Sequence, residues 1–221
     1  MLPETDLRTA AEWARLTAEI GPLASHGSAH VQDPQAWSDS GRRDYEAVSQ
    51  ALGQEPGPIV LDWGCVAGRL VPRLSERAQW VFAADVAAPV ELEDLGNVSV
   101  VQTDIPEICA PAASLDTVIS LHVLYSFTPD GVREAIRQLA TLLAPGGMLV
   151  ADVPYRFARD PFHMEADGLP GGWWVHSAGT LMNGELGDGL WLARAPEPIR
   201  EQCPQWEMLA RLSLWVWRKL R

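Results

Sequence analysis

A glycine-containing segment that begins with an acid is the part of this sequence best suited to chemistry. Residues 59–61 are apolar, Asp62 follows them, and Gly64 and Gly68 come shortly afterwards. A buried strand, a glycine turn and a helix in this order form the ligand seat of doubly wound α/β folds. Glycine is favoured in such a turn because the ligand lies close to the backbone, and helix amides can face it. The segment therefore predicts a binding site for a nucleotide-like ligand.

The same segment resembles the first motif of the class I S-adenosylmethionine-dependent methyltransferases, which has the form D-x-G-x-G-x-G. Residues 62–68 read DWGCVAG, so the acid and the outer glycines match, and Val66 replaces the middle glycine. The dinucleotide pattern G-x-G-x-x-G would need glycine at both Val66 and Arg69. The resemblance implies that S-adenosylmethionine is the cofactor and that four residues of the motif bind it: Asp62, Gly64, Cys65 and Gly68.

The fold that this resemblance implies is an α/β, Rossmann-like doubly wound sheet with helices on both faces. It has seven strands in the order 3-2-1-4-5-7-6, and the last strand is antiparallel. The segment at 143–149, which reads LAPGGML, is similar to a helix stop that recurs before the fifth strand of this family. We expect the chain to form a single domain over 1–221. Its expected parts are a helical leader or lid at 1–55, a cofactor-binding core at 56–153 and a substrate-side segment at 154–221.

Val66 is the main departure from the family pattern. A β-branched residue at positive φ would cost about 1–3 kcal/mol, so we expect Val66 to adopt an ordinary backbone conformation. Its isopropyl group would then point either into the core or toward the cofactor. In the second case it would narrow the site and weaken binding.

A second acid follows the next apolar segment. Residues 80–84 predict the second strand, and Asp85 ends it. An acid about 20 residues past the glycine turn accepts hydrogen bonds from ribose hydroxyls in folds of this kind. We therefore predict that Asp85 binds the ribose of the cofactor. The alternative is that Asp85 caps a helix that begins in residues 86–89.

The connection after Asp85 is unusually short. Residues 86–96 leave room only for a helix of one or two turns, around 90–95, before a third strand at 97–101. That strand leads to Asp104 and Ile105, and the resemblance implies that these two residues contact the adenine. The alternative for Asp104 is a turn residue.

The fourth strand brings further candidates. Residues 114–121 resemble this strand in the family, and it ends beside the first strand at the switch point of the sheet. The resemblance therefore implies that Leu121 contacts the cofactor and that His122 and Tyr125 lie nearest to the transferred methyl group. His122 could act as a base, and Tyr125 could orient the acceptor. The alternative is that His122 only lines the adenosine pocket. Ser126 stands where many relatives have histidine.

The flanking segments are less informative. Residues 5–20 predict a helix that packs beside the core or covers the site, and 25–41 predict a loop that leads into a helix at 42–52. His26 and His30 are interpreted as solvated loop residues. The pattern SGRRD at 40–44 resembles a segment that helps to close the pocket in related methyltransferases.

Beyond the fifth strand the resemblance fades. Residues 129–143 predict a helix and 148–153 the fifth strand. Residues 155–189 predict a long loop or cap with little regular structure. The alternation in 210–221 favours a final strand, and the alternative is an amphipathic helix at a membrane surface or a dimer interface.

The composition limits the classes of partner. The sequence has 29 acidic and 17 basic residues and a formal net charge of -12, so we expect no nucleic-acid partner. Cysteines at 65, 109 and 203 form no C-x-x-C pair, which argues against a disulfide framework or a metal site and favours the reducing cytoplasm. No segment approaches the length of about 18 apolar residues needed to cross a membrane, and no signal peptide is recognisable.

These observations lead to two main hypotheses. The first is methyl transfer to a small molecule, with the acceptor atom (oxygen, nitrogen or carbon) and a homodimer left open. The second is a methyltransferase-like protein that binds partners without catalysis, motivated by Val66, Ser126 and the short crossover. A nicotinamide-dependent oxidoreductase is a third alternative that the glycine pattern does not support.

Overall fold

The structure is a computed structural model that describes part of the chain. The described residues are 3–20, 34–87, 90–104, 109–156, 160–164, 173–177, 181, 189–196 and 214–220. The predictions made for His26, His30, Ile105 and Cys203 concern residues outside these ranges.

Ten strands lie in the described residues. They are β1 (Ile59–Trp63), β2 (Trp80–Asp85), β3 (Val98–Gln102), β4 (Leu115–Ser120), β5 (Leu143–Asp152), β6 (Tyr155–Arg156), β7 (Phe162–Met164), β8 (Trp173–Ser177), β9 (Leu190–Arg194) and β10 (Leu214–Lys219). Seven of them form one sheet in the order β3-β2-β1-β4-β5-β10-β9. β10 is antiparallel to β5, whereas β1 to β5 are parallel to one another. The predicted order and the antiparallel last strand are confirmed, since β9 and β10 are the sixth and seventh strands of this sheet.

The helices cover both faces of this sheet. They are α1 (Glu4–Ile20), α2 (Pro34–Leu52), α3 (Val71–Ser75) and α4 (Pro129–Leu142), with 3-10 turns at Val90–Leu95 and Leu124–Ser126. Successive residues of a strand point to opposite faces. Val60 accordingly packs with Val48 of α2 and Val71 of α3, whereas Leu61 packs with Ile136 of α4. None of the helices in the described ranges is long and apolar enough to span a membrane.

The short crossover between β2 and β3 is confirmed. It contains the 3-10 turn Val90–Leu95, as the length of the segment predicts. β3 begins at Val98, directly after this turn and Gly96 and Asn97. Asn97 anchors the connection because its side-chain amide donates to the carbonyls of Ser75 and Ala78 at 2.9 and 3.1 Å.

The start of α2 differs from the prediction, and α3 starts several residues after the glycine loop. α2 begins at Pro34 rather than at residue 42, so part of the predicted loop is helical. Gly41 lies inside this helix. Glycine is needed there because its Cα packs directly on the backbone of Arg69, and an added Cβ would overlap the carbonyl oxygen of Arg69. α3 begins only at Val71, since positive φ values at Val66 and Gly68 keep the preceding residues out of a helix.

The segment after β5 is more regular than predicted. β6, β8 and β7 form a three-stranded sheet, so the prediction of little regular structure over 155–189 is wrong for the described part. The predicted final strand is confirmed as β10. Trp215 of β10 is fully buried, and its indole N–H donates to the carbonyl of Val153 at 2.9 Å. This bond fastens the last strand to the end of β5.

Candidate functional site

An open cleft of about 1070 Å³ lies at the carboxyl ends of β1, β2 and β4. This is the edge where open α/β sheets bind ligands. One wall comes from α1, which contributes Thr9, Ala10, Trp13 and Thr17. Trp63 and Phe127 form another part of the wall, where their rings stack with centroids 5.8 Å apart.

The two matching glycines of the loop after β1 are required by its geometry. Gly64 has φ +83°, and a Cβ at this position would overlap the side chain of Val123. Gly68 has φ +75°, and a Cβ there would lie 2.6 Å from Leu92. Gly64 lines the cleft, whereas Gly68 packs behind the loop, so Gly68 shapes the cleft indirectly.

Val66 adopts the left-handed conformation, with φ +48°. The expectation of an ordinary backbone conformation is therefore wrong. The backbone N–H of Val66 donates to Oδ2 of Asp85 at 3.0 Å, and this bond ties the loop to the end of β2. A β-branched residue in this region stores strain of about 1–3 kcal/mol. Val66 is half-buried and lines the cleft.

Asp85 links the end of β2 to this loop. Its Oδ1 accepts the N–H of Ala87 at 3.0 Å, while its Oδ2 accepts that of Val66. The bond from Ala87 forms an Asx turn, and residues 86 and 87 lie in a turn rather than in a helix. Burial raises the pKa of Asp85, and the backbone N–H groups partly oppose this shift. Each carboxylate oxygen can accept a second hydrogen bond, so the capping contacts are compatible with a ligand at the cleft.

Asp62 is buried at the end of β1, with 4% of its surface exposed, and it lines the cleft. Loss of hydration raises its pKa to about 7, because burial disfavours the charged carboxylate. The guanidinium of Arg69 opposes this shift, while the carboxylates of Asp85 and Asp44 add to it. The charge of Asp62 therefore responds to pH near neutrality.

Arg69 and Asp44 join the loop to α2. Their side chains form an ion pair at 2.5 Å, and both are mostly buried. Asp44 is the acid of the SGRRD segment, and Gly41 of the same segment packs on the backbone of Arg69. The SGRRD pattern predicts a closing role for this segment but does not indicate Arg69 as its partner.

His122 follows β4 and faces the cleft with an unusual backbone. Its φ is +59°, and its Nδ1 lies 3.2 Å from Oδ2 of Asp152. The His122 side chain is 27% exposed, whereas that of Asp152 is 4% exposed. Ser120 pairs with Ala151 in the sheet, which brings the residues after β4 beside the end of β5. Asp152 was missed by the sequence analysis, although an acid that ends a strand next to β4 is a recognisable signal.

The remaining described candidates line the same cleft. Tyr125, Leu121 and Cys65 are buried and line the cleft, and Asp104 is half-buried and lines it as well. Burial, with a further contribution from Asp152, raises the pKa of Tyr125, so its phenol stays protonated. Burial likewise raises the pKa of the Cys65 thiol. Neither group is an anionic nucleophile at neutral pH.

The start of α1 is fastened to the start of α4 by Asp6. Its carboxylate accepts the backbone N–H of Thr128 at 2.9 Å and the Thr128 hydroxyl at 2.8 Å. Thr128 is the N-cap of α4, and its oxygen accepts the N–H of Gly131 at 3.1 Å. Gly131 leaves room for the carboxylate, since a Cβ there would overlap it. This contact holds α1 against the cleft.

Acidic side chains outnumber basic ones among the described residues that line the cleft. Among the described residues, its lining includes four carboxylates, from Asp6, Asp62, Asp85 and Asp104, and one guanidinium, from Arg69. Such a lining favours cationic over anionic ligands.

Comparison with known proteins shows what the core is similar to. A family model described as a methyltransferase domain matches residues 60–147. An uncharacterized methyltransferase of Anoxybacillus flavithermus is 31% identical over 109 residues, which are 48% of this chain and 51% of the relative. The chain spans about half the length of the curated relatives that it matches.

Solved structures share the fold. The 1,6-didemethyltoxoflavin-N1-methyltransferase of Burkholderia thailandensis, solved with S-adenosylhomocysteine, aligns with a TM-score of 0.61 at 17% identity over 96% of this chain and 91% of that one. The cyclase SpnF aligns with a TM-score of 0.61 at 18% identity over 99% of this chain and 98% of that one. Residues 60–147, which carry the glycine loop, Asp85 and His122, are thus similar to a methyltransferase domain, and the chain shares the fold of these solved structures.

Proposed function

We propose that this protein transfers a methyl group from S-adenosylmethionine to a small molecule, and that the whole chain 1–221 acts as one domain in the cytoplasm. The observation that carries the proposal is the convergence of the Gly64 loop, Asp85 and His122 on one cleft at the carboxyl edge of the sheet.

The residues of the cleft fit the cofactor. S-adenosylmethionine is a sulfonium cation with a charged amino group, and the acidic lining favours such a ligand. The missing side chain at Gly64 allows the ligand to approach the backbone. We assign ribose binding to Asp85, and adenine binding to Asp104 and Ile105. The rest of the cofactor is assigned to the loop residues Asp62, Gly64 and Cys65 and to Leu121, with Gly68 as support.

When bound, the cofactor supplies an electrophilic methyl group whose bond to sulfur is already activated. The chain's own contribution is to align the acceptor with that group, because alignment removes much of the entropic barrier. His122 is proposed as the base that takes the acceptor's proton. Tyr125 stays protonated, so its proposed role is to orient the acceptor by hydrogen bonding.

The size and lining of the cleft support a small acceptor. α1 covers one side, and the stacked rings of Trp63 and Phe127 offer an apolar wall that suits an organic molecule. The formal net charge of -12 disfavours a nucleic-acid substrate.

Methyl-labelled S-adenosylmethionine tests this proposal directly. The full chain would be incubated with the label and a bacterial extract separated into small-molecule, protein and nucleic-acid fractions. We expect chain-dependent label in the small-molecule fraction and a loss of it with His122→Ala. Label in a macromolecular fraction would contradict the proposed acceptor class.

The backbone of Val66 favours a second candidate function, that of a binding protein without catalytic activity. Its strained backbone in the cofactor loop, φ +48°, fits a protein that binds the cofactor or a partner without transferring a methyl group. Binding of S-adenosylmethionine without label in any fraction would favour this alternative.

A further inference from the structure

The pair formed by His122 and Asp152 has a geometry that a purely structural role does not explain. His122 holds a left-handed backbone that is unfavourable for a residue with a side chain. Such strain persists where the surroundings determine it, and it is concentrated at functional sites. In this conformation His122 Nδ1 lies 3.2 Å from the Asp152 carboxylate, and the residue still lines the cleft.

The position of Asp152 is fixed by the sheet. It is the last residue of β5, it pairs with Leu214 of β10, and its side chain is almost fully buried. A buried carboxylate beside one nitrogen of an imidazole determines which nitrogen carries the proton. With Nδ1–H donating to Asp152, the lone pair of Nε2 is free to accept a proton.

We propose that Asp152 is a positioning residue that holds His122 in the tautomer with Nε2 unprotonated, and that the methyl acceptor is therefore an uncharged molecule with an O–H or N–H group. This inference rests on the proposed function. In the reaction the acceptor's lone pair forms the bond to the methyl carbon, the electron pair of the broken carbon–sulfur bond stays on sulfur, and the acceptor's proton goes to Nε2. The imidazolium that forms is stabilised by the Asp152 carboxylate.

The charges around His122 support an uncharged acceptor. Asp152 faces it from β5, and Asp44 interacts with it from α2, where the Arg69 ion pair compensates Asp44. Tyr125, in the 3-10 turn after β4, interacts with Asp152 as well. A carboxylate or phosphate acceptor beside His122 would lie close to the Asp152 carboxylate, and this repulsion would weaken its binding.

Nitrogen NMR of the histidine side chains in the full-length chain tests the tautomer without knowledge of the acceptor. His122→Gln identifies the resonances of His122 among the five histidines. At a pH where His122 is neutral, we expect Nδ1 to be protonated and Nε2 to be unprotonated. The opposite tautomer in the unmutated protein would overturn the proposal, and this measurement does not depend on any variant's folding.

Two variants show whether the tautomer of His122 depends on its contact with Asp152 or only on negative charge nearby. Asp152→Asn removes the carboxylate that accepts from Nδ1, so we expect the tautomer preference of His122 to be lost. Asp44→Asn is the matched control, because it also removes a buried carboxylate near His122 but not the one at Nδ1, and we expect the preference to remain. An unchanged tautomer in Asp152→Asn would contradict the proposal.

A separate experiment tests which class of acceptor receives the methyl group. With S-adenosylmethionine labelled by carbon-13 in the methyl group, the chemical shift of the transferred methyl shows whether it is bound to oxygen, nitrogen or carbon. We expect oxygen or nitrogen, and a carbon-bound methyl would overturn this part. Absence of transfer together with the expected tautomer would count against the proposed function, whereas transfer with the opposite tautomer would count against the role of Asp152.

Discussion

The backbone N–H of Val66 donates a hydrogen bond to the Asp85 carboxylate at 3.0 Å. This contact joins the loop after β1 to the end of β2, and it accompanies the positive φ of Val66. One carboxylate therefore shapes the loop and also lines the cleft, where we propose that it binds the ribose. Substitutions at these two positions separate the two roles.

Replacing Asp85 with alanine should weaken binding of S-adenosylmethionine by about 10- to 100-fold, since hydrogen bonds to a charged group contribute about 1.5–3 kcal/mol. It should also destabilise the fold, because the N–H groups of Val66 and Ala87 lose their acceptor. Calorimetry and chemical denaturation measure the two effects. Asp94→Ala, at an exposed acid nearby, is the control and should change neither. Lower stability with unchanged affinity would show that Asp85 only holds the backbone of the loop and does not bind the cofactor.

Replacing Val66 with glycine should raise the free energy of unfolding by about 1 kcal/mol, because relief of the strain exceeds the added entropy of the unfolded chain. Affinity for S-adenosylmethionine should stay within a few-fold, since the loop already has the required shape. Val100→Gly, at a half-buried position of β3, is the comparison and should destabilise the protein. A large gain in affinity for Val66→Gly would instead show that the valine side chain obstructs the site.

The pKa of Asp62, about 7, predicts how stability depends on pH. The unfolded chain releases this proton near the ordinary value of 3.8, whereas the folded protein keeps it until about pH 7. The contribution of Asp62 to stability is therefore present below about pH 4 and is lost as the pH rises to 7. Asp62→Asn should remove this part of the pH dependence, measured by denaturation from pH 4 to 8. An unchanged profile would show that Asp62 does not titrate in this range.

The same group predicts how cofactor binding depends on pH. A cationic ligand favours the charged form of Asp62, so binding near pH 7 should release a proton. Affinity for S-adenosylmethionine should rise by about tenfold between pH 6 and 8, and Asp62→Asn should flatten this rise. Calorimetry in two buffers of different ionisation enthalpy measures the released proton. Proton uptake, or no exchange, would contradict the placement of Asp62 beside the cationic part of the ligand.

The contact between Asp6 and Thr128 predicts the behaviour of α1. Asp6→Ala should cost about 1–3 kcal/mol, because a buried acceptor is lost and the N–H of Thr128 is left without it. Amide exchange in 4–20 should accelerate more than in the sheet. Glu12→Ala, at an exposed position of the same helix, should leave exchange unchanged. Equal exchange in both variants would show that α1 is held by other contacts.

Much of the core could be predicted from the sequence because its structure depends on short segments that can be recognised one at a time. The glycine spacing, the acid that ends β2 and the length of the crossover each correspond to one short segment, and the sheet order followed from the family resemblance. The turn at Val90–Leu95 is an example, since so few residues between two strands leave no room for a longer helix.

Contacts between distant segments could not be predicted in this way. Asp6 and Thr128 are 122 positions apart, and nothing in either segment indicates the other. Asp152 meets His122 only because β4 and β5 are neighbours with a particular register. The prediction for the backbone of Val66 was wrong for another reason. The hydrogen bond to the carboxylate of Asp85, at the end of β2, outweighs the intrinsic backbone preference of valine.

The central claim is that this cleft binds S-adenosylmethionine, and calorimetric titration of the full chain tests it most directly. We predict saturable binding of one molecule of S-adenosylmethionine or S-adenosylhomocysteine per chain, with a dissociation constant in the micromolar range. Circular dichroism of the same sample verifies that the protein is folded. No binding of either ligand at millimolar concentration to the folded chain would contradict the claim.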